Sequence, residues 1–540
     1  MQTGFRYSWA INLSLLVMVA PCLLTGVHAA DQKPDTKATV IRGYVTAMKS
    51  PTEFDIEELK ILGASDIPLE IAFAESDSVS LEDQNAVMPA FKLEDIRVGT
   101  ELEVTGQFDT DSKSFKASTI KVHYEDRLKP KGEAVLEEEP ALTRKGSAWT
   151  GELNVDGRQL MIDETTSVKV FPSREQKKAI ASQEKSTKKA KAAKAPAGDE
   201  LDKASEETEP PPVDLQDPNQ VKVGMVVRWW GQRQPSGKIL AKKIEFRYLE
   251  DSFNIAAMLD LLNGDVKKGG FGFTPPNYDK NKNGLVVLNG KKMNVPSDHD
   301  VQNYLNDFGK QLVPLAFYQA PVDKPDKKQR PDPVKLQFRF TLVEQGNVAN
   351  AYAHQSGNVM ITREMYDALE NEDQLAFILA HEIAHAVQRH SLREDQANMK
   401  KRTTVKAIRL GASRIPGVGG IVTRIAAGQV DKIIAAGYRR GLENQSDRLA
   451  LHYMAAAGYD PRQGVRVWKL MSEKFGDQKV STYWSSHETN RVRRSYLMAE
   501  LHDSFGDVDF AAYQPKEDKH RAFLAAKQSL VDYGTKKAKK

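Results

Sequence analysis

The chain has 540 residues, 40% of them hydrophobic and 28% charged, and 77 Lys+Arg stand against 73 Asp+Glu for a formal charge of +4. Such a length suits about three or four domains. The composition excludes collagen-like, mucin-like and wholly disordered chains, and so small a charge gives no footprint for nucleic acid. The single cysteine, Cys22, rules out an internal disulfide.

Residues 1–29 read as an export signal. Arg6 supplies the positive start, an apolar stretch runs from Trp9 to Leu24, and Val27-His28-Ala29 offers a small-x-small cleavage site. The stretch is shorter than the roughly 20 residues that span a bilayer, so no transmembrane span is expected in the mature chain. Cleavage after Ala29 removes Cys22 and Arg6, taking the charge from +4 to +3, and leaves an exported, periplasmic protein. The alternative is lipid modification of Cys22 after Val19-Ala20-Pro21, which would anchor the chain to a membrane.

Two copies of one β-unit follow, about 125 residues apart. Val98-Gly99-Thr100-Glu101-Leu102-Glu103-Val104-Thr105-Gly106-Gln107 returns as Val223-Gly224-Met225-Val226-Val227-Arg228-Trp229-Trp230-Gly231-Gln232, and Ala117-Ser118-Thr119-Ile120 as Ala241-Lys242-Lys243-Ile244. Each copy opens with a Gly-centred strand, around Gly43 and around Gly151. Short alternating strands between Gly, Asp and Ser turns predict two small OB-like barrels over 38–128 and 145–251. Residues 173–220, Lys/Ala-rich and then acidic up to Glu209-Pro210-Pro211-Pro212, read as a solvated insertion in the second. The modules are expected to be separable appendages whose removal leaves peptide hydrolysis intact.

From about Ser252 to residue 510 the pattern becomes a mainly α, α+β domain. Asp279-Lys280-Asn281-Lys282-Asn283-Gly284 resembles a calcium loop but has Gly290 where a bidentate Glu is needed, so it reads as a turn. Val301, Tyr304, Leu305, Phe308 and Leu312 share one helix face, and Val334, Leu336, Phe338, Phe340 and Leu342 alternate as a strand. Asn371 with Gln374 signals a helix start, and the helix carries His381-Glu382-Ile383-Ala384-His385. Histidines at i and i+4 face one side and can hold one Zn²⁺, with Glu382 beside its open position. A metzincin third histidine is excluded by Gln388 and Ser391. Of the glutamates before Glu473, Glu394 lies too close after His385, which leaves Glu443 as third ligand. Asp447, one helical turn on, can accept from the far nitrogen of a ligand histidine. Residues 511–540 form a tail ending in Lys536-Lys537-Ala538-Lys539-Lys540.

These residues resemble the gluzincin peptidases of the CAAX-prenyl-protease, HtpX, BepA and OMA type, in the soluble exported branch, across roughly Val301 to Ser504. The resemblance implies a zinc metalloendopeptidase with one Zn²⁺ per chain, acting on polypeptides such as misfolded or unassembled envelope proteins, with peripheral association with a membrane or assembly machinery. Asn350-Ala351-Tyr352-Ala353 matches the strand that pairs with substrate in that family. Ser485-Ser486-His487-Glu488 matches its Ser-Thr-His-Pro segment, which implies His487 near the reacting centre with Arg491 or Arg493 bracing it, and a proton-donor role for Asp447 is also implied. Ala407–Tyr438, with Arg409, Arg414 and Arg424, reads either as a lid or as plain core helices. The reading from another class is a chaperone-like binding module with a structural or silent zinc site; Glu382 favours the enzyme, because a structural site needs no general base.

Overall fold

The computed structural model of the chain describes residues 38–56, 59–72, 92–123, 131–173, 175–177, 179–180, 182, 211–234, 238–249, 273–274, 284–288, 291–320, 332, 334–394, 441–475, 490–506, 508–513 and 517–538. The expected signal segment with Cys22, the turn Asp279–Asn283, the segment Ala407–Tyr438, and His487 with its neighbours Ser485, Ser486 and Glu488 all lie outside the described residues.

The first sheet holds β1 (Thr39–Ser50), β2 (Glu53–Ile56), β3 (Leu59–Leu62), β4 (Leu69–Ala72), β5 (Glu101–Asp109) and β6 (Ser114–His123). Its order is β3-β2-β1-β5-β6-β4, and a parallel pairing of β3 with β6 closes five of the strands into a barrel. Period-2 alternation turns Val45, Leu102, Val104, Phe115, Ile120 and Val122 inward to make its core.

The second sheet holds β7 (Lys131–Val135), β8 (Ala141–Lys145), β9 (Ala148–Val155), β10 (Arg158–Ile162), β11 (Ser167–Val170), β12 (Val213–Asp214), β13 (Val226–Arg233) and β14 (Ile239–Arg247). The repeat is visible in backbone detail. The β5–β6 ladder slips register after Thr105 and the β13–β14 ladder after Trp230, the same position of the repeat 125 residues on. Gly99 and Gly224, at matching positions, have φ of +85° and +88°. Each is also where its module meets the helical domain: a Cβ on Gly99 would lie 2.1 Å from the Ser495 carbonyl oxygen, and one on Gly224 2.5 Å from Val334.

Two expectations need correction. The Gly-centred strands are not equivalent: β1 pairs with β5, whereas β9 pairs with β8 and β10, and β7 takes the place beside β13. The insertion is also shorter than 173–220, because β12 pairs with β11 and Leu215 is buried, its carbonyl accepting from Trp149 Nε1 at 3.0 Å. A composition scan sees acidic residues and prolines there and misses the buried apolar side chain of Leu215 and the backbone pairing of β12, which tie the return to the sheet.

A small antiparallel sheet of β15 (Phe273–Thr274), β16 (Gly284–Leu288) and β17 (Lys291–Val295) precedes α1 (His299–Lys310). Asp298 caps α1 by accepting from Asp300 and Val301 N–H, and Val301, Leu305 and Phe308 enter the core. A mixed sheet follows: β18 (Arg339–Val343), β19 (Ala351–Ala353) and β20 (Asn358–Thr362), in the order β18-β20-β19. The strand expected from Val334 begins only at Arg339. α1 shields the outer edge of β18: the side chains of Asn306 and Gln302 bond both backbone groups of Phe340 and of Leu342. The edge left open by pairing among the described residues is that of β19.

Then come α2 (Arg363–Ala368), α3 (Glu372–Val387), α4 (441–456), α5 (Arg462–Phe475), α6 (Asn490–Phe505) and α7 (Glu517–Ala538). The second β-module is not a free appendage. Val135, Val226 and Leu249 belong to one continuous apolar core with Val301, Phe338, Phe377, Met454 and Trp468. Among the described residues no helix is long and apolar enough to cross a membrane.

Candidate metal centre

α3 is started by Asn371, whose side chain accepts from Gln374 N–H at 3.0 Å. Leu375 to Ala380 are buried on every side, so the helix runs through the core and its groups stand on a fixed frame. His381 is 2% exposed and Glu382 6%, while His385 is the one half-buried residue of the helix. α4 lies across it and brings in Glu443 and Asp447, both buried.

Donor atoms of His381, His385 and Glu443 lie within 4.8 Å of one another. The two Nε2 atoms are 3.0 Å apart, with Glu443 oxygens at 3.3 Å from His381 Nε2 and 3.4 Å from His385 Nε2. Burial disfavours the His381 imidazolium, yet hydrogen bonds to Asp447 and Glu443 outweigh it and raise the pKa to about 9. Two imidazoles with one carboxylate are the donor set of a zinc site with a position left for water.

Each histidine is oriented by its far nitrogen. His381 Nδ1 meets Asp447 Oδ1 at 2.9 Å, so Nδ1 carries the hydrogen and Nε2 faces the centre. Arg493 on α6 grips Asp447 with both arms, Nε to Oδ2 at 2.8 Å and Nη2 to Oδ1 at 2.7 Å, and its guanidinium lies 3.7 Å over the Trp468 ring. Burial raises the Asp447 pKa, but the Arg493 charge and the His381 hydrogen bond outweigh it and leave Asp447 below the usual carboxylate range. Of the two arginines considered after His487, Arg493 is the one at the centre; the Arg491 side chain lies outside the described residues. His385 Nδ1 meets His390 Nδ1 at 2.9 Å.

β19 lies beside α3. Asn350 is fully buried, its Oδ1 accepting from Ala351 N–H and its backbone tied by three hydrogen bonds to Thr362. It shapes the strand, whereas Ala351, Tyr352 and Ala353 supply the edge. The Tyr352 hydroxyl donates to Gln345 at 2.5 Å, and the turn that follows is a buried polar cluster in which Ser356 Oγ meets His354 Nδ1 at 2.7 Å. Burial lowers the His354 pKa to about 4.

Sequence reasoning missed the residues that support the centre: His390, Gln445, Arg393, Glu137 and Asp156. The second module reaches the centre through them. Gln388, just past α3, bonds both backbone groups of Val135 at the edge of β7. Glu137 Oε1 accepts from Tyr453 OH at 2.6 Å and Gln388 Nε2 at 2.5 Å. A cavity of about 1010 Å³ separates other parts of the seam, with Glu137, Asp156, Arg448, His452 and Glu500 on its walls.

Burial pushes the Glu137 carboxyl up to about 7, against the hydrogen bonds from Tyr453 and Gln388. A raised carboxyl favours the folded state fully below its ordinary value of 4.5, and the advantage is lost as pH rises through 7. Glu137 as a residue is half-buried, so screening reduces the cost of ionising it to about 1–2 kcal/mol. Thermal melts at pH 5 and pH 8 should therefore show Glu137→Gln losing less stability with rising pH than the wild type; parallel losses would contradict this.

Residues 324–500 match the model of Peptidase family M48, a match that begins after both large β-sheets. The beta-barrel assembly-enhancing protease of Yersinia pestis is 30% identical over 165 residues, 29% of this chain and 30% of that protein. That of Escherichia coli strain K12 is 29% identical over 179 residues, 31% of each. The mitochondrial metalloendopeptidase OMA1 of Arabidopsis thaliana is 23% identical over 159 residues, 29% of this chain and 30% of that protein. The chain thus spans about a third of the length of the curated relatives it matches.

Proposed function

We propose that this chain, which carries a Peptidase family M48 domain over residues 324–500, is a zinc-dependent metalloendopeptidase. The observation that carries the reading is the convergence of His381, His385 and Glu443 within 4.8 Å, with Glu382 on the same buried helix. His381, His385 and Glu443 would hold the zinc, which would supply Lewis acidity toward a water and the scissile carbonyl. Glu382 takes the proton of the attacking water and passes it to the leaving amine. Asp447, gripped by Arg493, acts through His381 by fixing its tautomer. An extended polypeptide adds to the edge of β19 at Ala351 to Ala353, pairing by backbone and so selecting for unfolded chain over any particular side chain.

Two of the relatives are named for enhancing β-barrel assembly. By that analogy the substrates are unassembled or misfolded envelope proteins, the compartment is the periplasm, and the chain works beside an assembly machinery. The two β-sheets are read as OB-like modules, the second of which also braces the peptidase domain. An exopeptidase would need a pocket for a chain terminus, whereas an open strand edge suits internal cleavage.

The test is hydrolysis of casein. Activity is expected to vanish with a chelator and to return with about one equivalent of Zn²⁺ per chain. Zinc-loaded protein that leaves casein intact would refute the reading.

A further inference from the structure

The hairpin between β9 and β10 turns at Asp156-Gly157, a two-residue Asp-Gly turn in which Asp156 has φ of +61° and Gly157 +64°. A hairpin tip with a charged residue ordinarily points to water. This one is 6% exposed at Asp156 and is pressed onto α4, where Asp156 Oδ1 accepts from Gln445 Nε2 at 2.8 Å. Arg448 holds the same residue from the other side, with Nη2 to Oδ2 and Nε to the backbone oxygen, both at 2.7 Å.

The donors and acceptors that continue from there have one consistent direction. Asp156 accepts only, so the Gln445 nitrogen faces it and Oε1 faces the opposite way. Oε1 accepts from Arg393 Nη1 at 2.7 Å and lies 2.9 Å from His390 Nε2. An amide oxygen carries no hydrogen, so His390 Nε2 donates, and the neutral ring leaves Nδ1 as acceptor. That Nδ1 faces His385 Nδ1 at 2.9 Å, which therefore donates. His385 is left with a bare Nε2 aimed at His381 and Glu443, the tautomer a metal ligand requires.

We propose that Asp156 is a positioning residue of the metal centre, setting the tautomer and ring angle of His385 through Gln445 and His390, so that the second β-module completes the zinc site. The inference rests on the metallopeptidase reading. It accounts for the buried charge at a hairpin tip and gives the module outside the family match a chemical task. His381 is oriented from within the helical domain by Asp447 and Arg493, while His385 is oriented from 229 positions upstream.

The test uses the full chain and zinc affinity, measured by competition with a chromophoric chelator, together with the visible spectrum of the cobalt-substituted protein. Asp156→Gly removes the carboxylate while suiting the positive φ, and Gln445→Met interrupts the relay without touching the contact between Asp156 and Arg448. Both are expected to weaken zinc binding about 10–100-fold and to alter the cobalt bands. Asp156→Asn, which keeps an acceptor for Gln445, should restore most of the affinity, and the double variant Asp156→Gly/Gln445→Met should be no weaker than Gln445→Met alone. A purely structural hairpin would lower the melting temperature and leave zinc affinity and cobalt bands as in the wild type; that result for Gln445→Met, or for Asp156→Gly if it folds, overturns the proposal. Wild-type chain that binds no zinc overturns both this and the peptidase reading. Wild-type chain that binds zinc through this relay without cleaving casein removes only the peptidase reading.

Discussion

Glu382→Gln is expected to leave zinc affinity near the wild-type value and to lower casein hydrolysis by about 10²–10⁴-fold, the usual worth of a positioned general base. The substitution is nearly isosteric on a helix whose position is set by packing from Leu375 to Ala384, so the frame should hold. Glu382 is not among the grouped donor atoms, which is why the metal should stay. It stands next to His381 on the same buried helix, and that helix packs beside the strand bearing Tyr352. Removing the Glu382 charge leaves Arg493 with both oxygens of Asp447, so the buried guanidinium keeps its counter-ion. Substituting His381 instead would lose metal and activity together and could not separate binding from proton transfer. Zinc-loaded Glu382→Gln with wild-type turnover would end the assignment of Glu382 as base.

The contrast between what the sequence announced and what it hid follows from the range of the interactions. The helix carrying His381 and His385 is written locally, in a capping Asn371, an apolar run and an i, i+4 pair, and residues three or four apart must share a face. Glu443 needed only elimination, since few glutamates follow. The repeat was legible because a register slip and a positive-φ glycine both demand particular residues, and both recur 125 positions on. The supporting contacts have no such local signature. Asp156 reaches Gln445 across 289 positions, and nothing in the periodicity of either segment names the other. The Asp156-Gly157 dipeptide signals a tight hairpin, but a hairpin signal does not say what the tip touches. Alternation misled at Val334 for a related reason. It reports which side chains are buried, and Leu336 and Phe338 are fully buried, but it does not report where a continuous ladder forms: Leu336 makes only an isolated bridge to Tyr318, and the ladder with β20 begins at Arg339.

Expressing residues 252–540 without the β-modules is expected to give a chain that fails to fold, contrary to what a domain count from sequence suggests. Val135, Val226 and Leu249 are 1%, 3% and 4% exposed and sit in the peptidase core, not in a core of their own. At about 1.5–3 kcal/mol for each buried side chain, the apolar surface they cover is worth roughly 5–9 kcal/mol, an upper figure because unfolded chains already bury some of it. Typical domains hold about 5–15 kcal/mol in total, so the loss is comparable to the whole reserve. The cavity along part of the seam is already excluded from this figure, which counts only the side chains that close it. Polar partners are lost as well: Gln388 gives up the Val135 backbone, Tyr453 gives up Glu137, and Arg448 gives up Asp156. Gln388 follows three residues after His385 and Arg448 directly follows Asp447, so fraying at the seam spreads into the helices that bear the ligands. Near-ultraviolet circular dichroism and zinc titration of the fragment should show no fixed tertiary structure and no tight site. Removing only residues 38–123 should be far milder, since that barrel closes on itself and its core is separate. A soluble 252–540 fragment with wild-type zinc affinity would mean that the seam is a docking contact between independently stable parts, and that the core shared across it contributes little to the folding of either.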